Sequence, residues 1–177
     1  MLRDCAVFAQ LAPADRRALA MHGEMHHFAA HAKIFEEAAP CDGLWVLSEG
    51  VAKLYLSGAN GRTHITSLAG AGAALDLIAA LEDQPYAVSA ETLTRATALL
   101  LPRAAFLEAL ARDQTILAAV VRELGDELRQ RDLTLAAGNM KRSQQQLACL
   151  LIRWSQHHAP PPRHGTVRLP FPVTRQD

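Results

Sequence analysis

The hydrophobic pattern of this chain changes its period once, close to residue 102. From about Phe28 to Leu101, apolar and polar residues alternate in short runs, which is the period of β-strands. Beyond Pro102, apolar residues recur every three or four positions, which is the period of helices. Many short strands followed by long helices predict a rolled or closed β-sheet that continues into a helical segment.

Turn signals divide the β-rich part. Residues 44–47 and 51–56 alternate on either side of Glu49-Gly50, and 92–101 is a further β-rich run. Asn60-Gly61 predicts a tight hairpin, with residues 64–68 as the returning strand. Before these strands, residues 2–27 are expected to form short helices. The strands predict a roll, barrel or sandwich.

The helical part contains an apolar seam. Residues 103–112 predict a short helix, Asp113 is suited to cap the next one, and 114–137 is strongly helical. Its apolar residues follow a heptad that only Arg131 interrupts: Leu117, Val121, Leu124, Leu128 and Leu135. The seam favours dimerisation through this helix; packing of the helix on its own β-domain is the alternative.

The last 37 residues differ in charge from the rest. Residues 1–140 carry 12 Lys and Arg against 17 Asp and Glu, whereas 141–177 carry six Lys and Arg against Asp177 alone. A basic segment indicates contact with a polyanion or a solvated tail. A helix is expected over 143–158, and Thr174 with Asp177 is typical of a helix start. No helix follows, so the chain is expected to be incomplete.

Cysteine use excludes several classes of site. The three cysteines are Cys5, Cys41 and Cys149, an odd number with no Cys-x-x-Cys pair. A disulfide framework, a zinc ribbon and a four-cysteine iron–sulfur cluster are therefore not expected. The N-terminus lacks a signal-peptide pattern, and no apolar run is long enough to cross a membrane. We expect a reduced cytoplasmic protein without membrane contact.

The order of these elements resembles that of the Crp/Fnr superfamily of transcription regulators over essentially the whole chain. The family signature is similar to residues 34–54, which begin with Ile34-Phe35 and continue through Leu44, Leu47, Gly50 and Lys53-Leu54. The family usually has glycine where this chain has Ala38, so Ala38 is expected to strain its turn. Pro172-Val173-Thr174-Arg175-Gln176-Asp177 resembles the entry into the family's winged helix-turn-helix.

The resemblance implies an α+β fold. It consists of a cyclic-nucleotide-binding-type β-roll (a double-stranded jelly roll) flanked by short helices, then a long dimerisation helix and a partial winged-helix domain. The expected domains are a sensing β-roll at 1–112, a dimerisation helix at 113–138 and an incomplete DNA-binding domain at 139–177. In the family, an effector in the roll reorients the dimer helices, which reposition two reading helices on a palindromic DNA site. The resemblance implies a homodimeric regulator rather than an enzyme, with DNA as the partner of the full-length protein.

The resemblance also limits which classes of effector are expected. The cyclic-nucleotide branch uses a Gly-Glu-Leu/Ile opening and an Arg-Ser/Thr-Ala closing, in which the Arg pairs with the cyclic phosphate. Here Gly72 is followed by Ala73, and no Lys or Arg lies between Arg62 and Arg95. By alignment with the family, residues 87–90 cover the position of the phosphate Arg. We therefore expect neither cAMP nor cGMP, and an uncharged or apolar small molecule or gas instead.

Haem, with CO or NO as the sensed gas, is the leading candidate, although the effector stays unidentified. The expected effector pocket comprises Gly72, Leu75, Asp76, Leu77, Tyr86, Ser89, Arg131 and Asp132. Leu75, Leu77 and Tyr86 would line an apolar slot. Arg131 would hold an anionic edge, or would form a salt bridge across the dimer with Asp132 or Glu127.

Candidate metal ligands are the histidines His22, His26, His27 and His31, because a neutral imidazole can be an axial ligand. Solvated histidines are the alternative, and Cys5 or Cys41 could be a thiolate ligand or simply small buried residues. A cupin-like metal enzyme would use His26, His27 and His31 with Glu36-Glu37. A ligand-free roll that only dimerises is the third alternative.

Overall fold

The computed structural model describes residues 2–58 and 63–138. Their elements are, in chain order, α1 Pro13–Ala20, β1 Glu24–Phe28, β2 Lys33–Phe35, β3 Gly43–Glu49, β4 Ala52–Ser57, β5 Thr63–Ala69, β6 Ala74–Leu75, α2 Leu77–Glu82, β7 Ser89–Thr92, β8 Ala96–Pro102, α3 Arg103–Arg112 and α4 Gln114–Gly138. The chain divides into two compact units, residues 1–121 and 122–177. In the second unit, the described part is the remainder of α4, and the predicted DNA-binding segment 139–177 lies outside the described residues.

Two four-stranded antiparallel sheets form the roll. One has the order β1-β8-β3-β6 and the other β2-β7-β4-β5. Side chains from both sheets meet in a shared core, in which Trp45 and Leu47 of β3 lie in one cluster with Phe35 and Leu54 of the second sheet. The α+β class and the predicted roll are confirmed.

The predicted hairpin is confirmed by its strands. β4 and β5 pair antiparallel from Ala52↔Ala69 to Ser57↔Thr63. The turn itself, with Asn60-Gly61, lies outside the described residues. An alternating pattern on both sides of a favourable turn therefore located these strands to within about a residue.

The β-rich run 92–101 is confirmed, but it is not one strand. Thr92 ends β7, and residues 96–101 belong to β8 in the other sheet. The chain crosses between the sheets at Leu93-Thr94-Arg95, where Leu93 N donates to Val51 O at 2.8 Å and Thr94 Oγ1 accepts from Val51 N at 3.1 Å. A change of sheet leaves the alternation of apolar residues intact, so the period alone cannot reveal it.

The N-terminal region was predicted as helical over too long a range. Residues 2–11 form consecutive turns, and β1 already begins at Glu24. The spacing of Leu2, Cys5, Phe8 and Leu11 nevertheless identified a buried face, since all four are at most 6% exposed. Phe8 contacts Phe106 of α3 edge-on, with ring centroids 6.0 Å apart.

The two longer helices match their predicted bounds closely. α3 ends at Arg112, and the Asp113 carboxylate accepts from Thr115 N at 2.8 Å and from Thr115 Oγ1 at 2.7 Å. These bonds, the hydroxyl first, hold the pKa of Asp113 below its usual value. The predicted cap is confirmed. None of the described helices is long and apolar enough to cross a membrane.

Ala38 has the strained backbone that the sequence predicts, with φ of 63°. We expect Ala38→Gly to raise the free energy of unfolding by about 1 kcal/mol, because glycine removes the left-handed penalty of a Cβ atom. Urea unfolding of both chains measures the change. Ala39→Gly in the same turn is the control and should lower stability, and equal effects of the two substitutions would contradict the assignment of strain to Ala38.

Candidate functional site

The residues expected to line an apolar slot are packed inside the roll. Leu75 and Leu77 are 1% and 3% exposed, and Tyr86 is 3% exposed. The Tyr86 ring stacks on Phe35 with centroids 4.0 Å apart and an interplanar angle of 14°. In this conformation the slot is filled by the protein's own side chains.

The polar tip of Tyr86 is satisfied inside the core. Its hydroxyl donates to Gly43 O at 3.5 Å, and the Cys41 thiol donates to the same oxygen at 3.4 Å. Burial raises the pKa of Tyr86, and its hydrogen bond with Cys41 adds to the increase. Tyr86 is therefore a neutral phenol at physiological pH.

Asp76 has a role that the sequence analysis did not assign to it. It is the N-cap of α2, with φ of 45°, and its Oδ1 accepts from Ala79 N at 3.4 Å. Its Oδ2 accepts from Ala87 N at 2.9 Å, eleven residues away. The Asp76 carboxylate thus accepts a hydrogen bond from the first residue of segment 87–90, in which the family resemblance implies a phosphate-binding Arg.

Ser89 joins the same segment to the β2–β3 turn. Its hydroxyl accepts from Glu37 N at 3.0 Å, and the side chain is nearly buried. Two backbone bonds extend this contact: Ala38 N donates to Tyr86 O at 2.8 Å, and Tyr86 N donates to Ala39 O at 3.0 Å. The structure therefore brings Asp76, Tyr86 and Ser89 onto one short connected segment, where each has a structural partner.

Gly72 precedes β6 and lies against the N-terminal turns. Its N–H donates to Leu47 O at 2.7 Å, and its φ is +90°. An added Cβ would lie 2.4 Å from Asp4 O. Gly72 thus permits a close backbone approach next to the expected pocket.

Arg131 and Asp132 belong to the second unit, and both are exposed. Arg131 Nη2 donates to Glu127 Oε1 at 2.6 Å, four residues earlier on α4. This salt bridge forms within one helix, whereas the alternative from the sequence was a bridge across the dimer with Asp132 or Glu127. A role for Arg131 and Asp132 at the effector stays a prediction.

Comparison with known proteins decides the family. The model of the cyclic nucleotide-binding domain matches residues 25–113, half of the chain. The chain belongs to the cyclic nucleotide-binding domain family. No curated protein sequence matches it significantly.

Solved structures share the fold of this cyclic nucleotide-binding domain. The Thermus thermophilus catabolite activator protein is similar with a TM-score of 0.66 and 21% identity, over 74% of this chain and 62% of its own. The regulator CLP of Xanthomonas campestris, described as c-di-GMP responsive, has a TM-score of 0.72 and 14% identity, over 82% and 73%. The sensor domain of the regulator DNR from Pseudomonas aeruginosa has a TM-score of 0.65 and 18% identity, over 80% of this chain and 92% of its own. The chain thus has the fold of Crp/Fnr-type sensor domains.

The four candidate histidines of the chain do not converge. His26 contacts Trp45 edge-on at 4.9 Å, whereas the next residue, His27, bonds Thr97 Oγ1 at 3.2 Å. His31 is exposed and lies 3.7 Å from Glu91, and His22 is exposed after α1. Within residues 2–58 and 63–138, no group of three His, Cys, Asp or Glu is placed to hold a metal ion. The histidine and glutamate set of the cupin alternative is not assembled there.

We expect Asp76→Ala to lower the free energy of unfolding by about 2 kcal/mol, because it removes a helix cap and the bond to Ala87 N. Asp83→Ala is a matched control, since Asp83 also has a positive φ of 59° and its exposed carboxylate lies 3.5 Å from Arg103. The control should lose less than half as much stability in urea unfolding. Equal losses would show that the backbone conformation, not the hydrogen bonds of Asp76, sets the cost.

Proposed function

We propose that this chain is the effector-sensing and dimerisation part of a cytoplasmic, DNA-binding transcription regulator of the Crp/Fnr type, and that it has no enzymatic role. We propose further that its effector is a small molecule or gas that is not recognised through a cyclic phosphate. One observation carries the second part: the Asp76 carboxylate accepts from Ala87 N, at the segment implied to bind phosphate.

The charge around this segment supports the proposal. No Lys or Arg lies between Arg62 and Arg95, so the segment has no cation of its own to pair with a phosphate. Two unit negative charges about 4 Å apart repel by about 4 kcal/mol at the effective dielectric near a protein surface. A cyclic phosphate would therefore have to displace Asp76 from Ala87 N without gaining an ion pair.

The described part of α4 supports dimerisation. Leu117, Val121 and Leu128 of the predicted seam are 51%, 63% and 62% exposed in the single chain, and Leu124 is half-buried. The Leu135 side chain lies outside the described residues. Apolar side chains left exposed at heptad spacing are those that a second copy would cover.

Haem is the effector to test first, and His26 is the histidine that supports it. Among the described side chains, His26 Nε2 is a buried nitrogen without a hydrogen-bond partner, and the exposed Glu24 carboxylate lies 3.8 Å from it. Its ring also stacks near Phe28, with centroids 6.2 Å apart. Trp45, which His26 contacts, lies in one buried cluster with Phe35, Leu75 and Tyr86. A bound porphyrin would therefore require the stacked rings of Phe35 and Tyr86 to separate.

Titration calorimetry with cAMP and an absorbance titration with haemin test the proposal. We expect no cAMP binding at micromolar concentration, and a stoichiometric Soret shift with haemin that His26→Ala removes and His27→Ala retains. Micromolar cAMP binding would refute the proposed effector class. A haemin response unaffected by His26→Ala would refute the assigned ligand, and no response to any effector with dimerisation intact would favour the ligand-free dimerising module.

A further inference from the structure

Helix α2 is held at its C-terminal end by an arginine from another element. Arg103 Nε donates to Ala80 O at 3.1 Å, and Arg103 Nη2 donates to Leu81 O at 3.2 Å. Arg103 Nε also lies 3.5 Å from Asp83 Oδ1. The last carbonyls of a helix have no partner within it, and α2 has no basic residue in its own last turn. One guanidinium from outside α2 therefore satisfies its C-terminal end.

The opposite end of α2 is the one that Asp76 caps. α2 is six residues long, so Asp76 and Arg103 together contact both of its termini. α2 and the residues that flank it include the expected effector residues Asp76, Leu77 and Tyr86. A displacement of that segment by an effector would consequently move the carbonyls that Arg103 holds.

Arg103 is also the first residue of α3, which leads directly to α4. α3 is anchored by Phe106, which is fully buried. At its end, Asp113 N donates to Ala109 O at 3.1 Å, and Ile116 N donates to Asp113 O at 3.1 Å. The first turns of α4 belong to the same compact unit as α2 and α3, and their side chains Ile116, Ala119 and Val120 are buried. A continuous path of hydrogen-bonded and packed groups thus joins α2 to the start of α4.

We propose that Arg103 is a positioning residue that transmits the position of α2 to the first two turns of α4. The proposal rests on the proposed function, in which the segment around α2 senses the effector. The guanidinium makes two parallel contacts to successive carbonyls and is only 28% exposed. An ammonium group lacks this fork, so Arg103→Lys keeps the charge and loses the paired geometry.

Hydrogen exchange of the full chain tests the transmission. Asp76→Ala releases the far end of α2. When Arg103 is present, we expect it to speed amide exchange at residues 116–121 about fivefold more than exchange of the β8 amides, which report the loss of overall stability. In Arg103→Ala and Arg103→Lys chains, Asp76→Ala should speed exchange at 116–121 no more than at β8, while still loosening α2. Arg112→Ala is the control, because Arg112 is on the same helix and pairs with exposed Glu108. It should retain the fivefold response.

Two results would overturn the proposal. One is an equal response at residues 116–121 with and without the Arg103 side chain, since the coupling would then bypass it. The other is no response in the parent chain. If Arg103→Ala does not fold, Arg103→Lys gives the same comparison. The exchange measurement uses neither effector nor DNA. Its result can therefore be interpreted even if the haemin or cAMP titration contradicts the proposed function.

Discussion

The Val121→Glu/Leu128→Glu variant is expected to sediment as a monomer where the parent chain sediments as a dimer. Both side chains are more than 60% exposed in the single chain, so the substitutions should leave its fold intact. In a heptad-packed dimer, replacing each apolar side chain removes about 1.5–3 kcal/mol of favourable burial free energy. Each new carboxylate would also be buried there without a partner. We expect the dissociation constant to rise by about a thousandfold or more.

Sedimentation velocity across a concentration series measures the change, and far-ultraviolet circular dichroism confirms that the fold persists. Arg122→Glu/Arg129→Glu is the matched control, because it places glutamates one residue beyond each seam position and introduces more negative charge. It should remain dimeric. A seam variant that still sediments as a dimer would refute dimerisation through this face of α4.

The elements predicted well from the sequence are those whose information is local. α3 and the start of α4 follow from helical spacing together with Asp113, whose partner Thr115 is two residues away. The β4–β5 hairpin follows from alternation on both sides of one turn. The Ala38 strain follows from a single residue at a turn that glycine suits, and the observed φ of 63° confirms it.

The elements that sequence analysis missed depend on distant partners. α2 is short, and its termini are held by Ala87 and Arg103, which lie 11 and more than 20 residues from the groups they contact. Residue spacing contains no sign of such bonds. An Asp directly before an apolar run was the one available signal for α2, since Asp is a favoured N-cap.

For the candidate site, the sequence showed which residues are apolar but not how they pack. Leu75, Leu77 and Tyr86 are buried, and their role at an effector stays a prediction. Whether a slot is open between them depends on Phe35, which is over 50 residues from Tyr86 and stacks on its ring. Packing of this kind depends on how two sheets meet, which periodicity within one strand cannot specify.

Gly72→Ala is expected to lower the free energy of unfolding by about 3 kcal/mol. A Cβ at φ of +90° costs about 1–2 kcal/mol, and forcing apart packed backbone adds about as much. The contacted oxygen belongs to Asp4, whose neighbours Leu2 and Cys5 are at most 2% exposed, so the N-terminal turns cannot shift without disturbing the core. Urea unfolding followed by tryptophan fluorescence measures the loss.

Gly125→Ala in α4 is the contrasting substitution. There an added Cβ would lie 3.5 Å from the nearest atom of Arg129, which is ordinary contact, and alanine favours a helix over glycine by about 1 kcal/mol. We expect it to increase helical content, the opposite sign to Gly72→Ala. If Gly72→Ala unfolded at the same urea concentration as the parent chain, the N-terminal turns would not be fixed against the residues that precede β6, and Gly72 would not be required for their close approach.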